Sequence, residues 1–277
     1  MKIIDLIKTI KDKSNHIMWG KEINEETTRD KILYGDCQQQ CSGIVVTLFA
    51  SNEVIEKAGK LGYNFIIVHE ALFWNHGDHT DWLSNNKAFL EKKALLDKYH
   101  ICVWRNHDYI HAGIPFDDGF KDGIFYGLFE ELNWNRYCIC ENPFYPDFAQ
   151  IPKMKAKDLA TFLIDKLHLN GIKVIGNSDI EVSRVLFPMH IIGEFDNAVI
   201  ERIEKNDVDC IIAMEITDFT VAEYIRDAGK CCLAVGHFNV EEPGMKFFAE
   251  YLPRLIGDDL PIKFIQSGDA YSFIMKK

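Results

Sequence analysis

Three stretches of the sequence that predict buried β-strands end at side chains that can bind a transition metal. Imidazole and carboxylate groups together suit zinc, iron or manganese. In open α/β sheets, ligands and acid or base groups commonly lie just beyond the carboxyl ends of strands, so three such ends in one chain favour a metal site over unrelated histidines. The residues concerned are His69 and Glu70 after 65–68, His107, Asp108 and His111 after 101–104, and His237 and Glu241 after 233–236.

Other catalytic signatures are absent from the sequence, which contains no glycine-rich dinucleotide loop, phosphate-binding loop or nucleophile elbow. His69-Glu70 begins like a zinc-protease helix, but position 73 is Phe instead of the second His. The polar loop 76–81 is either solvated or overhangs the site, in which case His79 is a candidate acid or base. Its flanking Trp74 and Trp82 could stack on a planar ring or pack in the core, and core packing is favoured.

Strand-like and helix-like segments alternate along the chain, which predicts an α/β fold of two halves, each a mixed sheet flanked by helices. We expect the halves at residues 1–132 and 133–277, with the metal site in the cleft between them. Residues 141–152 show no periodicity, and 112–119 read as a turn before a helix that ends near Leu132. Strands are expected at 44–50, 65–68, 100–104, 172–175, 182–188, 209–214, 231–235, 262–266 and 271–275, and helices at 1–13, 52–61, 85–99, 155–167, 197–205, 220–228 and 244–255.

Composition narrows the class of partner. The 277 residues carry a formal charge of −11, which argues against nucleic acid or an anionic membrane as the main partner. No stretch approaches the roughly 20 apolar residues that cross a bilayer, and no secretory signal is visible. Most of the eight cysteines lie in apolar runs, as expected for reduced thiols of a cytoplasmic protein. Cys37 and Cys41 form either an inert pair or, less favoured, a zinc knuckle.

In these residues the chain resembles the dinuclear-metal-centre family of hexameric proteins, often labelled GTP cyclohydrolase 1 type 2 homologue or Nif-three-like. The resemblance covers most of the chain in order, and no single motif would suffice for it. It is carried by 29–35 (the family's Asp-Asn-x-Gly-Leu), 43–48 with 53–58 (its first strand-helix unit), 65–73 (Ile-Ile-x-His-His-Pro-Leu-x-Phe), 107–112 (His-x-x-x-Asp-Ala) and 236–241 (Gly-His-x-x-x-Glu).

The resemblance implies two divalent metal ions (zinc, iron or manganese) with five ligands: His69, Glu70, His111, His237 and Glu241. Two positions depart from the family pattern, because Glu70 stands where the family has a second His and His111 where it has Asp. The exchange is reciprocal and keeps three imidazoles and two carboxylates. We hypothesise that Glu70 provides the carboxylate and His111 the imidazole of the same coordination shell.

The implied activity is hydrolysis by metal-activated water of a nucleotide or a related small heterocyclic or phosphorylated compound, with ring carbon C8 of GTP as the target in the cyclohydrolase reading. His107, Asp108 and His79 are the candidate acid and base groups, and Arg105 is available for a phosphate. A homohexamer is implied by the resemblance alone. The alternative function is that of a non-catalytic metal-binding adaptor or regulatory protein.

Overall fold

The computed structural model describes residues 1–75, 77–139, 145–188, 190–193 and 196–275 of the chain. The chain divides into two compact units, Met1–Gly127 with Gly244–Ser267 and Leu128–Pro243 with Gly268–Lys277. Each unit combines a mixed sheet with helices, so the predicted α/β class is confirmed. The units differ from the expected halves, 1–132 and 133–277, because each includes a second segment of chain from beyond residue 243.

The helices and strands follow the predicted alternation along most of the chain. The helices are α1 (Ile3–Lys13), α2 (Asn52–Leu61), α3 (Lys87–Lys98), α4 (Asp108–Ala112), α5 (Gly123–Glu131), α6 (Ala156–Leu167), α7 (Asp196–Lys205), α8 (Val221–Asp227) and α9 (His237–Ile256). The strands are β1 (Ile17–Met18), β2 (Lys21–Glu22), β3 (Ile32–Tyr34), β4 (Ile44–Val46), β5 (Phe65–Val68), β6 (Cys102–Arg105), β7 (Ile114–Phe116), β8 (Gly119–Lys121), β9 (Phe148–Lys155), β10 (Lys173–Gly176), β11 (Glu181–Leu186), β12 (Cys210–Ala213), β13 (Cys231–Ala234) and β14 (Ile262–Phe264).

The sheet of the first unit has the order β14-β4-β5-β6-β3. Only β3, at one edge, runs antiparallel to its neighbour; the other adjacent pairs are parallel. The strands β4, β5 and β6 are buried along their whole length, as expected for parallel strands covered on both faces. The carboxyl ends of β5 and β6 therefore lie side by side, and the segments that follow them begin at neighbouring points.

The sheet of the second unit has the order β10-β13-β12-β11-β9. Its three central strands are parallel, and its two edge strands are antiparallel to their neighbours. The segment 141–152 shows no periodicity in the sequence, yet its residues from 148 onward belong to the edge strand β9. Residues 141–144 lie outside the described residues. Pro152 lies within β9, where the edge position tolerates a residue without a backbone N–H.

Two further elements differ from the sequence-based expectation. Helix α9 begins at His237, seven residues before the expected start, because the Pro243-Gly244 pair that reads as a helix breaker is accommodated inside it. The segment expected as a turn at 112–119 forms a hairpin of β7 and β8 instead. Residues 271–275 were expected as a strand, and in the structure they form none.

Lys92 on α3 fixes the segment that follows β5. Its side chain is 2% exposed, and Nζ donates a hydrogen bond to the carbonyl oxygen of Leu72 at 3.0 Å. The ammonium also lies 4.3 Å from the ring centroid of Phe49 and 5.2 Å from that of Trp74. Burial lowers the pKa of Lys92 to about 8, because the charged form loses its hydration.

This burial predicts a pH dependence of stability. Between pH 8 and the ordinary lysine pKa the unfolded chain binds more protons at Lys92 than the folded chain, so the free energy of unfolding should rise with pH in that window, by up to about 3 kcal/mol. Lys92→Met should remove this rise. Urea unfolding at pH 7.5 and 9.5 measures it, with the exposed Lys87→Met on the same helix as the control. Equal pH dependence in both variants would contradict the prediction.

Candidate metal centre

Three buried histidines converge in the first unit. His69 directly follows β5, His107 precedes α4, and His111 lies in α4. The rings of His69 and His107 are stacked with centroids 4.4 Å apart, and the His111 centroid is 5.0 Å from each. One nitrogen from each ring lies within 4.8 Å of the other two. This first cluster therefore offers imidazole nitrogens to one small volume.

Asp122 fixes the orientation of the His111 ring. Its Oδ2 lies 2.8 Å from Nδ1 of His111, while its Oδ1 accepts hydrogen bonds from the backbone N–H groups of Ile124 at 2.9 Å and Phe125 at 3.1 Å. Asp122 thus caps the start of α5 and is itself fixed. A carboxylate that holds Nδ1 of a histidine in this way is the usual second partner of metal-binding histidines, so Asp122 fixes the ring of His111 in an orientation that suits a ligand.

His69 is oriented in the same way by the main chain. Its Nδ1 lies 3.2 Å from the carbonyl oxygen of Asn106, which can only accept, so Nδ1 carries the proton and Nε2 is the basic nitrogen. Glu70, the next residue, is 8% exposed, and one of its oxygens lies within 4.8 Å of a ring nitrogen of His69. The pair therefore offers one imidazole and one carboxylate at the end of β5.

His107 is held differently from the other two histidines. Its Nδ1 lies 3.0 Å from Oδ1 of Asp108, and its Nε2 lies 3.2 Å from Nη1 of Arg29, an obligate donor. Oδ2 of Asp108 accepts hydrogen bonds from the Thr28 hydroxyl at 2.8 Å and the Arg29 N–H at 2.9 Å. Burial opposes ionisation of Asp108, but these bonds outweigh it and hold its pKa well below the usual range.

His79 is not brought to the first cluster by the contacts of its own loop. It is exposed, its N–H donates to the side chain of Asn75 at 2.9 Å, and its carbonyl oxygen accepts from Trp82 Nε1 at 3.0 Å. The favoured prediction that Trp74 and Trp82 pack in the core is wrong, because they are 47% and 65% exposed. His76, at the start of the polar loop, lies outside the described residues.

Arg105, expected to be available for a phosphate, is already engaged. Its guanidinium makes two hydrogen bonds to the carboxylate of Asp78, at 3.1 and 2.6 Å, and its Nε donates to the carbonyl oxygen of Arg29 at 2.6 Å. The side chain is almost fully buried, so Arg105 fixes the polar loop to the end of β6. Arg29 is exposed and places its guanidinium beside the first cluster, 3.2 Å from Nε2 of His107.

A second cluster lies in the second unit. His237, the first residue of α9, places Nε2 3.0 Å from Oε2 of Glu241, one turn along the helix. Its Nδ1 contacts Oε1 of Glu215, and Oε2 of Glu215 lies 2.9 Å from Nδ1 of His190. Glu215 and His190 follow β12 and β11, so the second cluster also forms at the carboxyl ends of parallel strands.

The charges of the second cluster are strongly coupled. Burial disfavours a charged ring at His237, but the hydrogen bonds from the ring to Glu215 and Glu241 outweigh this and raise the pKa of His237 to about 11. The pKa of Glu215 is lowered to about 2, because the bonds from His190 and His237 outweigh the opposing effect of burial. The cluster therefore holds a cation between carboxylates.

The donor atoms of both clusters fit a divalent transition metal. Zinc–nitrogen bonds of about 2.0–2.1 Å place two ligands of one tetrahedral ion roughly 3.3 Å apart, and His237 Nε2 and Glu241 Oε2 are 3.0 Å apart. Imidazole and carboxylate together suit zinc, iron or manganese. The groups His69, His107, His111 and His190, Glu215, His237 could each hold an ion.

Three residues of these clusters were missed in the sequence: Asp122, His190 and Glu215. Glu215 could have been found, since it stands two residues beyond β12, where the strand-end argument applies as it does to His69. His190 stands four residues beyond β11, a weaker signal. Asp122 has no such signal, because its role depends on the fold bringing α5 back beside α4.

The described part of the chain contains no helix that is both long enough and apolar enough to cross a bilayer.

Comparison with known proteins finds one family along nearly the whole chain. A family model described as Duf34/NIF3 (NGG1p interacting factor 3) matches residues 18–270. A Clostridium perfringens protein named GTP cyclohydrolase 1 type 2 homolog is 22% identical over 277 residues, covering 98% of this chain and 97% of its own.

Solved structures show the same fold at low sequence identity. A Staphylococcus aureus hypothetical protein superposes with a TM-score of 0.73 at 16% identity, and coverage is 99% of both chains. A Bacillus cereus protein related to NIF3 gives a TM-score of 0.72 at 14% identity, again with 99% of both chains covered.

Proposed function

Because the chain belongs to the Duf34/NIF3 family, we propose that it is a metal-dependent hydrolase with a dinuclear centre. Its ligands would be His69, Glu70 and His111 in the first unit and His237 and Glu241 in the second. The observation that carries the proposal is the first cluster, in which ring nitrogens of three histidines converge within 4.8 Å and Nδ1 of both His69 and His111 faces a fixed acceptor.

Divalent ions held by these ligands would supply Lewis acidity, which polarises a substrate oxygen and lowers the pKa of water. The neighbouring pair His107 and Asp108 would handle the proton. Asp108 keeps the proton of His107 on Nδ1, so Nε2 would exchange a proton once an anionic substrate drew away the Arg29 guanidinium that donates to it here. Arg29, at 3.2 Å from that nitrogen, places a permanent positive charge where an anionic substrate would bind.

The substrate class follows from these groups and from the relative named above. A cation beside an acid–base histidine suits a small phosphorylated compound, and the name GTP cyclohydrolase 1 type 2 homolog of that relative supports a nucleotide. We therefore propose a nucleotide or a related small heterocyclic or phosphorylated compound, processed by a homohexamer. His79 as a further acid or base, and the exchange of roles between Glu70 and His111, remain predictions from the sequence.

The test begins with elemental analysis of protein purified without chelator. The metal-reconstituted protein is then assayed on a panel of nucleotides, phosphodiesters and pterins. We expect metal-dependent turnover of at least one compound and its loss in His69→Ala. His168→Asn is the matched control, because His168 is exposed and left-handed at the end of α6, a conformation that asparagine also adopts.

Two outcomes would contradict the proposal. If the protein bound no metal after reconstitution, the proposed metal centre would be excluded. Protein that binds metal but turns over none of the panel would favour the non-catalytic adaptor instead. Glu70→Gln with full metal content would contradict the role of Glu70 as a ligand.

A further inference from the structure

We propose that Glu215 is a positioning residue of the second cluster: it holds the ring of His237 so that Nε2 faces Glu241, and His190 holds Glu215. This inference rests on the proposed function, because it takes His237 and Glu241 as metal ligands. It concerns Glu215 and His190, which neither the sequence motifs nor the family resemblance singled out.

The two nitrogens of His237 face different carboxylates. Nε2 lies 3.0 Å from Glu241, a separation that suits two ligands of one ion, and Nδ1 contacts Glu215 on the opposite side of the ring. A ring held at Nδ1 by a carboxylate cannot turn about its Cβ–Cγ bond without breaking that contact. Glu215 therefore selects the ring orientation in which Nε2 and Glu241 act together.

Glu215 is itself held at both of its oxygens. Oε1 contacts Nδ1 of His237, and Oε2 lies 2.9 Å from Nδ1 of His190. The two imidazole rings lie on either side of it, with centroids 5.2 Å apart. With both oxygens occupied by ring nitrogens, the carboxylate orients the histidine, whereas Glu241 supplies the oxygen beside Nε2.

The first unit contains the same device in an unrelated piece of chain. Asp122 contacts Nδ1 of His111 with one oxygen and is anchored through its other oxygen by two backbone N–H groups. In the second unit a side chain, His190, provides the anchor instead. A carboxylate behind a histidine raises the basicity of the metal-binding nitrogen and fixes its direction, so both clusters are prepared for a cation in the same manner.

The test measures Co²⁺ affinity and the visible absorption of the Co²⁺-loaded full chain for Glu215→Ala, Glu215→Gln and His190→Asn. We expect unchanged stoichiometry, with affinity lowered 10- to 100-fold in Glu215→Ala. The loss should be smaller in Glu215→Gln, whose amide oxygen still accepts from Nδ1–H, and in His190→Asn. Glu223→Gln is the control, because Glu223 is exposed on α8 and pairs only with Arg226 among the salt bridges of the described residues.

Each outcome decides the inference. If Glu215 had a purely structural role, its substitution would lower the melting temperature of the metal-free protein but leave the Co²⁺ affinity and spectrum of the folded fraction unchanged. That result would overturn the inference. Loss of a whole equivalent of Co²⁺ in both Glu215→Ala and His190→Asn would make these residues ligands and would also overturn it. Wild-type protein that binds no Co²⁺ would overturn the proposed function as well, so the two failures are distinguishable.

Discussion

Replacing His111 with alanine is expected to weaken divalent metal binding at the first cluster by more than about 100-fold, beyond the 10- to 100-fold typical of losing an outer partner. The substitution removes one of the imidazoles that converge within 4.8 Å, and α4 offers no other nitrogen in its place. The measurement is the metal content after dialysis against a buffered Zn²⁺ series. Turnover of any substrate found should fall in parallel.

Asp122→Asn tests the contribution of the carboxylate that holds His111, separately from that of His111 itself. The asparagine oxygen can still cap Ile124 and Phe125, so α5 should start as before, but its amide nitrogen cannot accept the proton of His111 Nδ1. The affinity for metal should therefore fall 10- to 100-fold with little change in stability.

The exposed His168→Asn provides the baseline metal affinity for both variants. If His111→Ala bound metal as tightly as the baseline variant, His111 would not be a ligand.

Much of the fold and part of the centre could be predicted because they depend on local pattern. The strands β5 and β6 are short, buried and apolar up to Arg105 at the end of β6, and the polar residues after them mark the edge where ligands gather. The positions of His69 and His107 just beyond strand ends are visible from neighbouring residues alone. Glu215 stands at the same kind of position, two residues beyond β12.

The partners of these histidines could not be predicted, because each contact joins distant parts of the chain. Asp122 meets His111 only after the hairpin of β7 and β8 reverses the chain, and that hairpin was read as a turn. Glu215 and His190 meet from the segments that follow two different strands, β12 and β11. Pro243 concealed the first seven residues of α9 and Pro152 concealed β9, since proline signals a break that helix and edge positions can nevertheless tolerate.

Asp30→Ala is expected to lower the free energy of unfolding by about 4 kcal/mol, because buried N–H groups that lose a charged acceptor each cost roughly 1–3 kcal/mol. Asp30 is 5% exposed, and its carboxylate accepts three backbone hydrogen bonds at the start of α4. The donors are the N–H groups of His107 at 2.5 Å, Asp108 at 2.8 Å and Tyr109 at 2.8 Å. Urea unfolding measures the loss.

Asp36→Ala is the matched control, since Asp36 lies in the same segment and accepts a hydrogen bond from Gln38 N–H at the surface. Its substitution should cost less than about 1 kcal/mol, as exposed turn contacts do. A similar small loss for Asp30→Ala would contradict the prediction. The five-residue α4 is too short to be stable alone, so the carboxylate that binds its first N–H groups also determines where His107 and His111 lie. Asp30→Ala should therefore weaken metal binding at the first cluster even at temperatures where the variant remains folded.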